Sequence, residues 1–170
     1  ETTREVDCEA MVAKAMEAYG RVDVLDNNVG IGSQGSVVEE NLENWDRVMR
    51  INVRSMFLAS KYAIPAMIDG GDGGAIVNVS SISALRPRGL TAYSASKGAV
   101  IALTRAMAMD HAADGVRANC IAPGPVYTPM VYSRGMSETA REGRRKASPL
   151  GIEGSGWDIG NAVVFLCSAR

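Results

Sequence analysis

Three short apolar runs, Val22 to Leu25, Ala75 to Val79 and Val116 to Ile121, are separated by long stretches of helical periodicity. Strands that alternate with helices of a dozen or more residues pair through crossovers, which makes the sheet parallel and puts helices over its faces. The fold class is therefore α/β. Ahead of the first run, Cys8, Val12, Ala15, Met16 and Tyr19 recur at helical spacing up to Gly20, and Thr2 with Glu5 has the spacing of a capping box. Asn41 opens a helix with Trp45, Val48, Met49, Ser55 and Leu58 on one side, to be broken by Pro65 and the cluster Gly70 to Gly74. Thr91 opens another, carrying Ala92, Val100, Leu103, Ala106 and Met107 to a stop at Gly115, and Ile159 to Cys167 reads as the last.

With 170 residues, 46% hydrophobic and 22% charged, the chain suits one globular domain with a real core. A net charge of -1 gives no electrostatic reason to bind nucleic acid or an acidic membrane surface. No apolar run approaches the length of a membrane span and no leader precedes the first helix, so a cytoplasmic protein is the expectation. Cys8, Cys120 and Cys167 are odd in number and far apart, as reduced core cysteines would be.

In an open parallel sheet the ligand crevice lies beyond the carboxyl ends of the strands. The residues there are Asn27-Asn28-Val29-Gly30, Ser80-Ser81 and Pro123-Gly124-Pro125-Val126-Tyr127-Thr128, all turn-forming, small or polar apart from the valines and Tyr127. Close by in sequence, Tyr93 and Lys97 stand four apart at the start of a helix and so share one face. A phenol with a pKa of about 10 must shift by roughly 2 to 3 units, about 3 to 4 kcal/mol, to exchange protons near neutrality. An ammonium about 4 to 5 Å away supplies roughly that much at an effective dielectric near 20. Tyr93 is thus a candidate acid/base tuned by Lys97. Taken alone, the same pair also describes an ordinary rim phenol beside a solvated amine.

Together these segments resemble the short-chain dehydrogenase/reductase family from about Val22 to Arg170. The matches are Asn27-Asn28-Val29-Gly30, Asn52, Ile76-Val77-Asn78-Val79-Ser80-Ser81, Tyr93 with Lys97, and Pro123-Gly124 with Thr128. The resemblance implies a Rossmann-like sheet and an NAD(P)-dependent oxidoreductase, taking NAD or NADP, that interconverts a small-molecule alcohol and a ketone or aldehyde. It implies Tyr93 as acid/base and Lys97 as the residue that lowers its pKa and reaches the nicotinamide ribose. Ser81 donates to the substrate oxygen in this scheme, with Ser80 as the alternative because the segment from Ser81 to Tyr93 is one residue short of the family's interval. Asn52, by itself a packing amide at a helix irregularity, would hold a water linking Lys97 to solvent. Asn27 and Gly30 would lie along the adenosine, and Pro123, Gly124, Val126 and Thr128 near the nicotinamide.

The family pattern begins with a strand, a Gly-rich turn and a helix, and ends with a further strand, so the sheet is expected to be incomplete, lacking its first βαβ unit and last strand. Weak or no cofactor binding by the 170-residue chain alone is the corresponding expectation. Asp26 falls where an apolar strand residue is usual, and a buried carboxylate there would cost several kcal/mol. Val29 replaces the usual alanine. The segment Pro129 to Trp157 should be a substrate lid, with Met130, Tyr132 and Met136 beside five basic residues, Arg134, Arg141, Arg144, Arg145 and Lys146, read as a solvated helix face. A homo-oligomer, dimer or tetramer, is expected through the small-residue face Ala99, Ala102, Ala106 with Leu103.

Two other readings stand beside this one. Ser94-Ala95-Ser96-Lys97 fits the Ser-x-x-Lys nucleophile motif of penicillin-recognising hydrolases, whose companion motifs the sequence lacks. A catalytically silent fragment, or a helix-mediated interaction partner of the same fold, would also keep these residues. His111, the only histidine, sits near a helix end and draws no catalytic assignment.

Overall fold

The computed structural model describes residues 1–133 and 135–168, so Arg134, one of the basic residues in the segment expected to be a lid, and the last two positions lie outside it. Helix α1 (Glu5–Tyr19) leads to β1 (Val24–Asn27), and α2 (Leu42–Met49) passes through a π turn, Arg50–Arg54, into α3 (Ser55–Asp69). Next come β2 (Gly74–Val79), a 3-10 turn at Ile82–Ala84, α4 (Thr91–Asp110) and β3 (Val116–Ile121). The remainder is β4 (Val126–Tyr127), α5 (Pro129–Tyr132), α6 (Glu138–Ala147), β5 (Gly154–Ser155) and α7 (Gly156–Cys167).

As the alternation requires, the main sheet runs β1-β2-β3 with both pairs parallel, Val24 opposite Ala75 and Gly74 opposite Val116. Side chains along β2 alternate between faces. Ile76 joins Met67 of α3, Met107 of α4 and Val12 of α1 in the core cluster, so these helices cover one face. Ala75, Val77 and Val79 point to the other, where α7 packs on β2 and β3. Gly73 takes φ 71° where the loop before β2 crosses Gly115, and a Cβ there would collide with the Gly115 carbonyl.

Four local expectations are corrected. Pairing in β1 starts at Val24 rather than Val22 and runs on through Asp26 and Asn27, polar residues that an apolar criterion stops short of. Asp26 sits on the open side of β1 and is exposed, although the atoms crowding its carboxyl still push its pKa up by desolvation. Pro65 lies inside α3 instead of ending it; it is on the exposed side, where the carbonyl it leaves without a donor can be hydrated. Thr2 and Glu5 form no capping box, because α1 starts at Glu5 and that carboxylate is engaged across the helix pair by Lys61 Nζ and Tyr62 OH at 2.5 and 3.1 Å.

Candidate active site

Lys97 is the buried centre of the strand-end cleft. It rises from the second turn of α4, is 4% exposed, and its Nζ donates to the carbonyl of Val79, the last residue of β2, at 2.7 Å. Desolvation lowers its pKa from 10.5 to about 8. The ammonium stands 5.8 Å from the centroid of the Tyr93 ring, as one helix face dictates. A Cβ on Gly30 would come within 3.3 Å of both Lys97 Nζ and Asn52 Oδ1, so glycine is what lets the β1 loop close over them.

Asn52 is fully buried in the π turn. Its Oδ1 accepts from the Ile31 N–H at 2.8 Å, and its Nδ2 donates to the Ile31 carbonyl at 2.9 Å and to Ser96 Oγ at 3.0 Å. The side chain thus acts as a packing amide that pins the loop after β1, and both its N–H groups are taken. A water at this place would have to use a carbonyl that the π turn leaves without a helical partner.

The two serines differ in what their hydroxyls do. Ser80 Oγ donates to the Lys97 carbonyl at 2.7 Å and is buried in the helix–sheet seam. Ser81 Oγ accepts from the Ser83 N–H at 3.1 Å, capping the 3-10 turn, and its own proton has no acceptor among the described residues. Of the two, Ser81 alone keeps an uncommitted hydroxyl hydrogen among the described residues.

Asn27 is brought to the strand end but faces inward. Its Nδ2 donates to Asn78 Oδ1 at 2.9 Å and Ser60 Oγ at 3.3 Å, and Asn78 passes the chain to Thr104 Oγ1 at 2.9 Å. At 7% exposure its amide belongs to the interior, so any place beside an adenosine falls to its backbone. Asn78 was visible in sequence as a polar residue amid an apolar strand, and register puts it beside Asn27.

The third strand end is tied to the second: the Pro123 carbonyl accepts from the Ile82 N–H at 2.9 Å. A Cβ on Gly124 would meet open space, so that backbone can be approached closely from outside. Thr128 caps α5 without a side-chain bond, leaving its hydroxyl uncommitted among the described residues. Val126 pairs with Gly154, and its carbonyl accepts from Arg144 Nη2 at 3.1 Å.

That arginine belongs to a cluster which sequence reading missed. Glu153, whose side chain is only 5% exposed, takes Arg144 at 2.8 Å and Arg141 at 3.4 Å, while the Arg141 guanidinium lies 4.0 Å over the Tyr127 ring. Two of the basic residues read as a solvated face are therefore committed to holding α6 against β4. Arg145 pairs with Glu142 and also donates to the Gly151 carbonyl, and Lys146 stands 3.5 Å from Glu142. Ser33 and Ser96, also missed, bond the Tyr93 backbone on either side, at 3.0 and 2.7 Å.

The hydrolase arrangement is not formed: Ser94 Oγ is buried without a partner and Lys97 Nζ turns to Val79 instead. His111 Nδ1 stands 3.0 Å from Asp114 Oδ2 at the end of α4, outside this cluster. Among the described residues no group of acidic, His and Cys side chains could hold a metal, and no helix is long and apolar enough to cross a membrane.

A family model described as Enoyl-(Acyl carrier protein) reductase matches residues 1–170. A 2-(R)-hydroxypropyl-CoM dehydrogenase of Xanthobacter autotrophicus is 38% identical over 95% of the chain and 66% of its own length. A 3-oxoacyl-acyl-carrier-protein reductase, FabG, of Thermotoga maritima is 37% identical over 93% of the chain and 63% of its own length. A crystal structure from Burkholderia xenovorans assigned to the short-chain dehydrogenase/reductases superposes with a TM-score of 0.91 at 35% identity, covering 99% of the chain and 65% of that protein. The chain thus spans about two thirds of the length of these relatives.

Proposed function

Because the chain belongs to the short-chain dehydrogenase/reductase family, we propose that its protein is an NAD(P)-dependent oxidoreductase interconverting an alcohol and a ketone or aldehyde. One observation carries the reading: a buried ammonium, Lys97, lies 5.8 Å from the Tyr93 ring at the carboxyl ends of parallel strands. A bound nicotinamide, of NAD or NADP, supplies or takes the hydride. Tyr93 gives the proton to the carbonyl oxygen in reduction and removes it in oxidation. Lys97, charged below pH about 8, favours the phenolate that this exchange requires. Ser81 donates to the same oxygen and stabilises the charge that develops there. The residues fit the cofactor. Lys97 has one acceptor, Val79, among the described residues, so its other N–H groups suit ribose hydroxyls. The open approach at Gly124 and the hydroxyl of Thr128 suit a carboxamide, and segment 129–157 would close over the substrate.

A homo-oligomer, dimer or tetramer, is part of the reading. Phe57, Leu103 and Ala106 line a groove between α3 and α4 that a second copy would fill. Three free cysteines suit a cytoplasmic setting.

Tyr93→Phe tests the chemistry. In the full-length protein, turnover of a 2-hydroxypropyl thioether and a 3-oxoacyl thioester, read from NADH and NADPH absorbance, should fall by at least about a thousandfold while cofactor affinity holds. Near-normal turnover in the variant would sink the mechanism.

A further inference from the structure

Helix α4 carries both Tyr93 and Lys97, yet its N-cap residue is Leu90, which has no side-chain acceptor. The first N–H groups of a helix need partners from elsewhere. Two come from the loop that leaves β1: the Thr91 N–H donates to the Gly35 carbonyl at 3.0 Å, and the Tyr93 N–H donates to Ser33 Oγ at 3.0 Å. The contact is reciprocal, since the Gly35 N–H donates to the Gly89 carbonyl at 2.9 Å.

The same loop is fixed at its start. Asn52 holds both the N–H and the carbonyl of Ile31, and through Nδ2 it also holds Ser96 Oγ, which in turn donates to the Tyr93 carbonyl at 2.7 Å. The peptide groups on both sides of Tyr93 are therefore held: the N–H by a short strap, residues 31–35, that begins beside Gly30, and the carbonyl by Ser96 of the same helix, which shares Asn52 with that strap. Ser33 grips the N–H and the Asn52–Ser96 pair grips the carbonyl.

We infer that Ser33 is a positioning residue for the acid/base. Its hydroxyl caps α4 at Tyr93 itself and so sets the phenol relative to Lys97 and to whatever lies along Gly30. This rests on the reading of Tyr93 as the acid/base. An ångström of slack in a reacting group costs on the order of a hundredfold in rate. A cap that served stability alone would leave rate and pH dependence untouched once the protein folds.

The experiment uses the full-length protein with NADH or NADPH for the 3-oxoacyl thioester and with NAD or NADP for the 2-hydroxypropyl thioether. Ser33→Ala is compared with Asn41→Ala, which deletes an equivalent cap, the Asn44 N–H to Asn41 Oδ1 bond of 2.8 Å, from α2. Both should lower the melting temperature by a few degrees. Only Ser33→Ala should lower kcat by tenfold or more and move the pH limb of kcat, with cofactor Kd within twofold of the parent. Ser33→Thr, which keeps the hydroxyl, should restore both. Should Ser33→Ala fail to fold, Ser33→Cys keeps the size with a weak acceptor and should show the same kcat and pH effects. Unchanged kcat and pH profile in Ser33→Ala or Ser33→Cys, with Tyr93→Phe inactive, overturns the positioning role and leaves the acid/base reading standing. An active Tyr93→Phe overturns both.

Discussion

Asn27, Asn52, Asn78, Ser96 and Lys97 are each less than a tenth exposed, whereas α6 buries none of its residues. The first group is wired by short bonds between side chains and backbone in a dry interior. The second is held over β4 by guanidinium–carboxylate pairs around one buried carboxylate, Glu153, and a ribbon of two-residue strands. The contrast separates two tasks. Chemistry needs groups whose positions do not relax, and low dielectric makes each bond there costly to break. A segment that, on the proposed reading, opens to substrate is better held by contacts that water can replace.

The largest effect should come from the interior. Asn78→Val leaves the Asn27 amide and the Thr104 hydroxyl short of a partner at a fully buried position, and should destabilise the protein by about 3 kcal/mol. Urea denaturation measures it. A loss under about 1 kcal/mol would mean that water readily replaces the amide, which breaks the dry half of the contrast.

Lys97 is next, and its sign is opposite. Folding moves its pKa from 10.5 down to about 8, so between those values the unfolded chain holds more protons and stability rises with pH. Below pH about 8 both states are charged and the cost is present in full. That cost is about 3 kcal/mol, less roughly 1 for the Val79 carbonyl that a methionine would orphan. Lys97→Met should therefore be about 2 kcal/mol more stable than the parent at pH 7 and should lose turnover. Denaturation at pH 7 and pH 10 reads both the gain and its disappearance. A less stable variant at pH 7 would mean that the ammonium is not desolvated.

The interior also explains what the sequence could and could not disclose. Strand–helix alternation reports the sheet, because period and length survive in any parallel α/β chain, and β3 and the start of α4 fall where the pattern puts them. Tyr93 and Lys97 were legible because helical spacing alone brings them to one face. Ser33, Glu153 and Ser96 were not, since their partners, Tyr93, Arg144 and Asn52, stand at separations that no local period encodes. What separates Ser80 from Ser81 is the direction of their hydroxyls, which neighbouring identical residues cannot reveal. Pro65 misled because its effect depends on which side of the helix faces water, a property of tertiary packing.

In the proposed lid segment, Glu153→Gln keeps the shape of the side chain but removes the charge that two guanidinium groups share. The expected loss is about 1 kcal/mol, since the amide oxygen still accepts from Arg144. The more telling readout is kinetic: in the full-length protein KM for substrate should rise with kcat little changed, because the pair orders the segment before binding. Loss of kcat at constant KM would place Glu153 with the rigid half instead.

Arg145 should show the smallest effect. It pairs with Glu142 one turn earlier on α6 and reaches the Gly151 carbonyl, and the partly exposed side chains of both charged residues lie in reach of water and salt. An exposed pair of this kind gains little, because solvent screens it and ordering two long side chains offsets the attraction. Arg145→Ala should therefore leave the denaturation midpoint within scatter, in low salt and in high. If it instead matched Glu153→Gln in stability and in KM, the segment would be held along the whole of α6 rather than at the one buried carboxylate. The difference between the two halves of the cleft would then lie in their chemistry and not in how firmly each is fixed.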